Sequence, residues 1–382
     1  RVAPDPARVA EAADLLANAE RPLVIAGGGV HSSGGCAELA ELQEACSLPV
    51  ATTTMGKGTV SERHPLSVGI VGYYMGFNGR THHLRDLVTE ADVVLLVGNR
   101  TNQNGTDSWK LYPKDARYIQ IDIDGEEIGR NYEALRLAGD ARLALAALSD
   151  ELKKRDLARR QAGRKALEDK IADGHAKFLA GSEALRTSSR APIRPERLME
   201  ELAPRLRADD IVVADASYSS NWISNYLVAE EAGQRFLTPR GLAGLGWGLP
   251  MAMGAKVGNP DKRIICLAGD GGFAHCWVEL ETARRMGLAV TLMVLNNQIL
   301  GYQKHAESLR FGMHTDAVHF EPVDHAAIAR ACGLPGIRVE RADEIGPALD
   351  EALANQSQTT LIDVMTDPDA HPPITLFEDL QN

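Results

Sequence analysis

Short apolar runs closed by glycine or polar residues recur along the chain, and stretches with apolar positions at helical spacing lie between them. Pro22-Leu-Val-Ile-Ala26, Leu48-Pro-Val-Ala51, Val93-Val-Leu-Leu-Val97 and Tyr118-Ile-Gln-Ile-Asp122 are too short for buried helices, so they predict strands covered on both faces. Helices are predicted over Pro6 to Ala19 and through Leu39, Leu42 and Ala45. Repeated strand and helix alternation implies a parallel sheet with helices on both faces, so residues 1–150 are predicted to form an α/β domain. From Asp150 to about Ala180 the composition turns to Lys, Arg, Glu and Ala, and a polar stretch reaches Arg194. Residues 151–191 are therefore expected to be a charged surface helix and a linker. The alternation then resumes. Pro195 opens a helix that ends near Leu206, and strands are predicted at Ile211–Asp215, Ile264–Ala268, Ala289–Leu295, Ile337–Glu340 and Thr360–Met365. The fold class predicted is α/β with two doubly wound parallel-sheet domains: the second spans 192–370, and 371–382 is a tail.

Candidate chemistry concentrates between Ile264 and Asn297. The predicted strand Ile264–Ala268 runs into Gly269-Asp270-Gly271-Gly272, where glycine permits a tight turn and close approach of backbone to a ligand. Phe273, Cys276, Trp277, Leu280 and Ala283 then predict a helix that closes at Gly287, before the strand that ends on Asn296-Asn297. A strand–helix–strand unit this compact is a crossover, which makes the strands parallel and puts both carboxyl ends on one edge. If the strands are neighbours, about 4.8 Å apart, Asp270 and Asn297 can reach one hard cation, with the Ile299 carbonyl as a third donor. Oxygen donors in small number suit Mg²⁺, which keeps water and phosphate oxygens in its shell. The amides of Gly271 and Gly272 are expected to be free to cradle an anion. Ala216-Ser217-Tyr218-Ser219, small and hydroxyl-bearing residues after the strand Ile211–Asp215, suit phosphate oxygens or an ordinary helix cap equally well.

Composition narrows the partners. A net charge of −11 argues against nucleic acid or an anionic membrane, and no apolar run approaches a membrane span. Five cysteines without a Cys-x-x-Cys pair predict buried thiols in a reducing, cytoplasmic setting. The chain opens on Arg1 and enters a helix at once, which predicts an interior segment of a longer enzyme or a subunit completed by another chain.

The Gly-Asp-Gly and Asn-Asn pair resembles the thiamine diphosphate signature, and the likeness extends over nearly the whole chain. Gly27-Gly28-Gly29, Thr53-Thr54-Met55-Gly56-Lys57-Gly58, Gly98-Asn99-Arg100, Ile121-Asp122-Ile123-Asp124 and Gly241-Leu-Ala-Gly-Leu-Gly-Trp-Gly-Leu-Pro250 are similar to segments of acetolactate synthase-like enzymes. The resemblance implies a central domain followed by a diphosphate-binding domain. It implies Mg²⁺ on Asp270, Asn297 and Ile299, and cofactor contacts from Ala216, Ser217, Gly244, Leu245, Gly269, Gly271, Gly272, Gly301 and Tyr302. Leu245 falls where the family keeps a bulky apolar wedge that bends the cofactor, although by itself it reads as a core residue. Tyr302 and His305 fall on a segment that lines the family's substrate pocket. With Leu245 they are the catalytic candidates, and a surface or capping role fits His305 as well. FAD occupies the central domain of acetolactate synthases, and Gly27–Gly29, Thr53, Arg100 and Asp122 take matching positions. Yet Thr101-Asn-Gln-Asn-Gly105 lacks the charged residues usual there, so FAD is not favoured.

The resemblance implies decarboxylation of a 2-oxo acid such as pyruvate, with carboligation to a second carbonyl. A thiamine diphosphate-dependent C–C bond hydrolase or acyl-CoA lyase, or a non-catalytic binding subunit of the same fold, is the alternative. The family's activating glutamate sits in a pyrimidine-binding domain, and no residue here matches it. That domain is expected from a missing N-terminal segment or from another chain, within a homodimer or homotetramer.

Overall fold

The computed structural model describes residues 1–380. The chain divides into two compact units, one of Arg1–Ala180 with Val228–Gln234, the other of Gly181–Leu227 with the chain from Arg235 onward.

The first unit is built on six parallel strands: β1 (Pro22–Ala26), β2 (Val50–Thr52), β3 (Ser67–Ile70), β4 (Val93–Val97), β5 (Arg117–Asp122) and β6 (Ala134–Ala138), in the order β3-β2-β1-β4-β5-β6. Alternate residues enter different cores, as a period of two requires. Val24, Leu95 and Ile119 pack with the helices Pro6–Asn18, Cys36–Ala45 and Ala141–Leu152, whereas Ile25, Leu96 and Tyr118 pack with Leu84, Leu111 and Ile171. Burial on both faces is why these strands read as unbroken apolar runs. Two strands of this sheet escape the pattern. Ser67-Val-Gly-Ile70 carries serine and glycine, and β6 is an edge strand that alternates buried and exposed positions. The helix Ala158–Arg186 is 29 residues long, and all of it up to Ala180 belongs to the first unit.

The second unit repeats the design with β7 (Ile211–Ala214), β8 (Phe236–Leu237), β9 (Ile264–Gly269), β10 (Thr291–Asn296), β11 (Gly336–Val339) and β12 (Thr360–Met365), in the order β11-β12-β10-β9-β7-β8 and again all parallel. β9 and β10 are neighbours, with Gly269 opposite Leu295. From β7 the chain moves to β8 on one side and then to β9 on the other. The crevice between β7 and β9 is thus the topological switch point, the place where open parallel sheets bind ligands.

The single helix expected from Phe273 to Ala283 is interrupted. Asp270–Phe273 and Glu279–Arg285 are helical, and tight three-residue turns join them, including Cys276 N–H to Phe273 C=O at 2.9 Å and Glu279 N–H to Cys276 C=O at 3.0 Å. Such turns keep Phe273, Cys276, Leu280 and Ala283 in one core, so the helical periodicity survives the break. The helices Tyr218–Tyr226, Gly248–Gly258 and Gly301–Phe311 were not predicted as elements. The segment expected as a tail packs down at His371, Ile374 and Phe377, all buried. Its last two residues lie outside those described.

Candidate functional site

Asp270 and the loop after β10 meet at the carboxyl edge of the second sheet. The Gln298 amide donates to Asp270 Oδ2 at 2.6 Å, and the Gly271 amide donates to Oδ1 at 2.7 Å. Asp270 is 6% exposed, and burial pushes its carboxyl up to about 6; the other carboxylate that acts on it, Asp363, pushes the same way. The backbone amides that donate to Asp270 offset part of that burial. Among the described residues no group of three or more His, Cys, Asp or Glu is arranged to hold a metal ion.

The two asparagines divide the work at the end of β10. Asn296 is buried, and its amide donates to Asp363 Oδ1 and the Val323 carbonyl, both at 2.9 Å, so it ties β10 to its neighbours. Asn297 stands at the partly exposed rim, where its Oδ1 accepts from the Ile299 amide at 3.3 Å. Gln298 takes φ +58°, the turn that sends the chain back over Asp270. Ile299 forms an antiparallel bridge with His319, and the hydrogen bonds run through the flanking residues, Leu300 N–H to Val318 C=O and Phe320 N–H to Gln298 C=O. Ile299 and His319 are thus the non-hydrogen-bonded pair, and the bridge does not engage the Ile299 carbonyl.

The expectation of free glycine amides needs correction. Gly271 N–H is engaged by Asp270, and Ala216 N–H is engaged in the same way by Asp215 Oδ1 at 2.8 Å. Each strand end closes its first amide with its own carboxylate. Gly272 serves a different purpose: a Cβ there would lie 2.3 Å from Asp215 Oδ2. Asp215, which sequence reasoning treated only as a strand end, is the centre of this crevice. Its Oδ2 accepts from the Gly246 amide at 3.0 Å and its Oδ1 from the Trp247 amide at 3.2 Å, while burial raises its pKa. One carboxylate thereby draws the end of β7, the glycine turn after β9 and the Gly244-Leu245-Gly246 loop together. Ser217 sits beside it with φ +65° and ψ −140°, a conformation costly for a residue with a Cβ.

Comparison with known proteins finds the thiamine pyrophosphate enzyme central domain over residues 9–148 and the C-terminal TPP binding domain over 215–364. The chain belongs to the acetolactate synthase-like thiamine pyrophosphate enzymes. It is 32% identical over 377 residues to a probable acetolactate synthase large subunit of Methanococcus aeolicus, covering 95% of this chain and 61% of that protein. Identity to the Escherichia coli acetolactate synthase isozyme 2 large subunit is 29%, over 91% of this chain and 60% of that one. A sulfoacetaldehyde acetyltransferase of Roseovarius nubinhibens is 32% identical, over 95% and 62%. The chain spans about three fifths of the length of these relatives. No helix among the described residues is long and apolar enough to cross a membrane.

Within this family the loop holding Leu245 takes on meaning. Leu242 is fully exposed, Leu245 is 38% exposed and Trp247 is 58% exposed, so three large apolar residues stand clear of the core on a loop anchored by Asp215. Gly244 allows the Trp247 indole close, since a Cβ at Gly244 would meet its Nε1 at 3.1 Å. FAD was not favoured from the sequence. In the first unit Gly27 and Gly29 touch Gly98 backbone to backbone, and a Cβ on Gly27 would lie 2.2 Å from the Gly98 carbonyl oxygen. That contact lies at the β1/β4 switch point of this strand order, and the family models and relatives that match the chain give no support to a flavin there.

Tyr302 and His305 lie on the helix Gly301–Phe311, which packs on Tyr218, whose hydroxyl was expected to suit phosphate oxygens and bonds here to His305 and Gly301 instead. A Cβ at Gly301 would lie 2.9 Å from the Tyr218 ring, which explains the glycine. Tyr218 Oη is 2.5 Å from His305 Nδ1 and 3.2 Å from the Gly301 carbonyl. Both bonds are made at once when the phenol donates to the carbonyl and Nδ1–H donates to the phenol oxygen, which leaves Nε2 as an acceptor. Tyr302 is 37% exposed, and Phe377 packs edge-on to both it and His305. Burial lowers the His305 pKa to about 4. A neutral folded-state histidine binds fewer protons than the unfolded one, so its contribution is present above pH 6.5 and is lost as pH falls through 4. Histidine NMR should show no titration of His305 between pH 5 and 8, and a midpoint near 6.5 would contradict this burial.

Proposed function

We propose that this chain carries the Mg²⁺–diphosphate half of a thiamine diphosphate-dependent enzyme that decarboxylates a 2-oxo acid such as pyruvate and ligates the product to a second carbonyl. The observation that supports it most is the meeting of buried Asp270 with the Asn297–Ile299 loop on one sheet edge. On this reading Asp270 and Asn297 bind Mg²⁺ through side-chain oxygens and Ile299 through its carbonyl. Ser217 and the Gly272 turn face the diphosphate. Leu245, held by Asp215, is the apolar support under the cofactor, with Gly244 and Gly269 shaping the passage.

Bound thiamine diphosphate supplies the electron sink for decarboxylation and C–C bond formation. The chain's own residues bind, orient and exclude water. His305 stays neutral and holds Nε2 as a proton acceptor, fixed by Tyr218, while Tyr302 walls the pocket. The carboxylate that the family sets against the aminopyrimidine ring belongs to a pyrimidine-binding domain, supplied by a further segment or by another chain in a homodimer or homotetramer. The setting is the cytoplasm.

Identity to the sulfoacetaldehyde acetyltransferase equals that to the M. aeolicus protein, so acetyl transfer to a different acceptor is the second reading. Turnover of a panel of 2-oxo acids by the full enzyme, with thiamine diphosphate and Mg²⁺ present, separates them. Carbon dioxide release with formation of a 2-hydroxy-2-alkyl-3-oxo acid is expected. Absence of carbon dioxide from every member of the panel would overturn the first reading.

A further inference from the structure

We propose that Cys36 is an activated thiol, with His31 as its base, which exchanges with small disulfides. Cys36 Sγ lies 3.6 Å from His31 Nδ1, within reach of a hydrogen bond to sulfur. The other ring nitrogen, Nε2, is 2.9 Å from the Lys57 carbonyl oxygen. A carbonyl can only accept, so Nε2 carries the ring proton and Nδ1 turns its lone pair to the thiol. Nucleophile, base and an acceptor that orients the base therefore stand in a row.

The backbone favours charge separation across this pair. His31 is in the last turn of the helix Gly28–Ser33, where carbonyl ends favour an imidazolium. Cys36 is the first residue of the ten-residue helix Cys36–Ala45, where the positive end of the helix dipole favours a thiolate. Gly34, at φ +67°, makes the left-handed turn that sets one helix end against the next. The surrounding charges close on one another: Glu38 with Arg142 at 2.5 Å, Arg1 with Asp140 at 3.3 Å, and the Lys57 ammonium with Glu62 at 2.7 Å. Cys36 is partly buried and borders Gly233, whose Cβ would be 4.0 Å from that of Cys36, so the site suits a small reagent.

The other four cysteines lack this setting. Cys46, Cys266 and Cys276 are buried, and burial pushes their thiols up, Cys276 to about 12. Cys332 is partly buried, and among the described residues no imidazole bonds to its sulfur. In the exchange, His31 Nδ1 takes the Cys36 proton and the thiolate attacks one sulfur of the disulfide. A new S–S bond forms as the old one breaks, and the departing thiolate receives the proton. Cys36 is oxidised, the leaving sulfur is reduced, and no further oxidant is required.

The test uses the full chain with glutathione disulfide at neutral pH, followed by mass mapping of each cysteine. Cys36 should form the mixed disulfide at least about tenfold faster than Cys332, and iodoacetamide should alkylate it with a pH midpoint below the ordinary thiol value of about 8.5. His31→Gln should slow Cys36 to the rate of Cys332. The wild-type pH–rate profile decides the matter even if that variant folds poorly. A midpoint at or above about 8.5, or equal rates at Cys36 and Cys332, would overturn the proposal, as would an undiminished rate in a folded His31→Gln chain.

Discussion

Asp270→Asn is expected to abolish Mg²⁺-dependent binding of thiamine diphosphate while the ligand-free chain still folds. The carboxyl is held at about 6 against an ordinary value of 3.8, which corresponds to roughly 3 kcal/mol. The folded chain binds this proton more readily than the unfolded one, so stability falls as pH rises from about 4 through 6 and is level above. Asparagine removes that slope. Its –NH2 group must then face one of the two backbone amides that Asp270 now accepts from, at a cost of about 1–3 kcal/mol. The two effects oppose each other at neutral pH, which is why the variant should fold. With cofactor at a hundred times its Kd the wild type should gain about 2.7 kcal/mol and the variant nothing. Thermal melts at pH 4.5 and 7, with and without thiamine diphosphate and Mg²⁺, read both outcomes. Equal stabilisation of the two proteins would remove Asp270 from the site.

Asp215→Ala should weaken both stability and cofactor affinity, although it takes away no proposed metal ligand. Three amides, of Ala216, Gly246 and Trp247, lose their acceptor. Buried amides without a partner cost about 1–3 kcal/mol each, partly offset here by relief of a buried charge, so a net loss of about 3 kcal/mol is expected by urea denaturation. The loop carrying Leu245 also loses its anchor, and cofactor affinity by calorimetry should drop at least about tenfold, or 1.4 kcal/mol. A variant with wild-type affinity would show that the loop is held by something else.

These two carboxylates mark the limit of what could be read in the chain. Asp270 stood out because glycine flanks it at the end of an apolar run and a crossover unit follows, and β9 and β10 do lie side by side in parallel. Asp215 also ends an apolar run, but its partners are amides of residues 246 and 247, about thirty positions away, and amides carry no mark in sequence. Tyr218 was read as a hydroxyl for phosphate oxygens, because its actual partner, His305, lies 87 positions away. Gly271 misled in the opposite direction: a glycine after an aspartate suggests an open amide, yet the aspartate closes it.

Local composition determined the alternating elements, the two parallel sheets and the metal-binding candidates at one sheet edge, because burial on both faces and short crossovers leave a periodic record in neighbouring residues. Tertiary structure alone decided the switch point between β7 and β9, the capture of the Leu245 loop by Asp215, and the backbone contact between Gly27 and Gly98. Those depend on backbone groups meeting across long separations, and a backbone amide or carbonyl is the same whichever residue bears it.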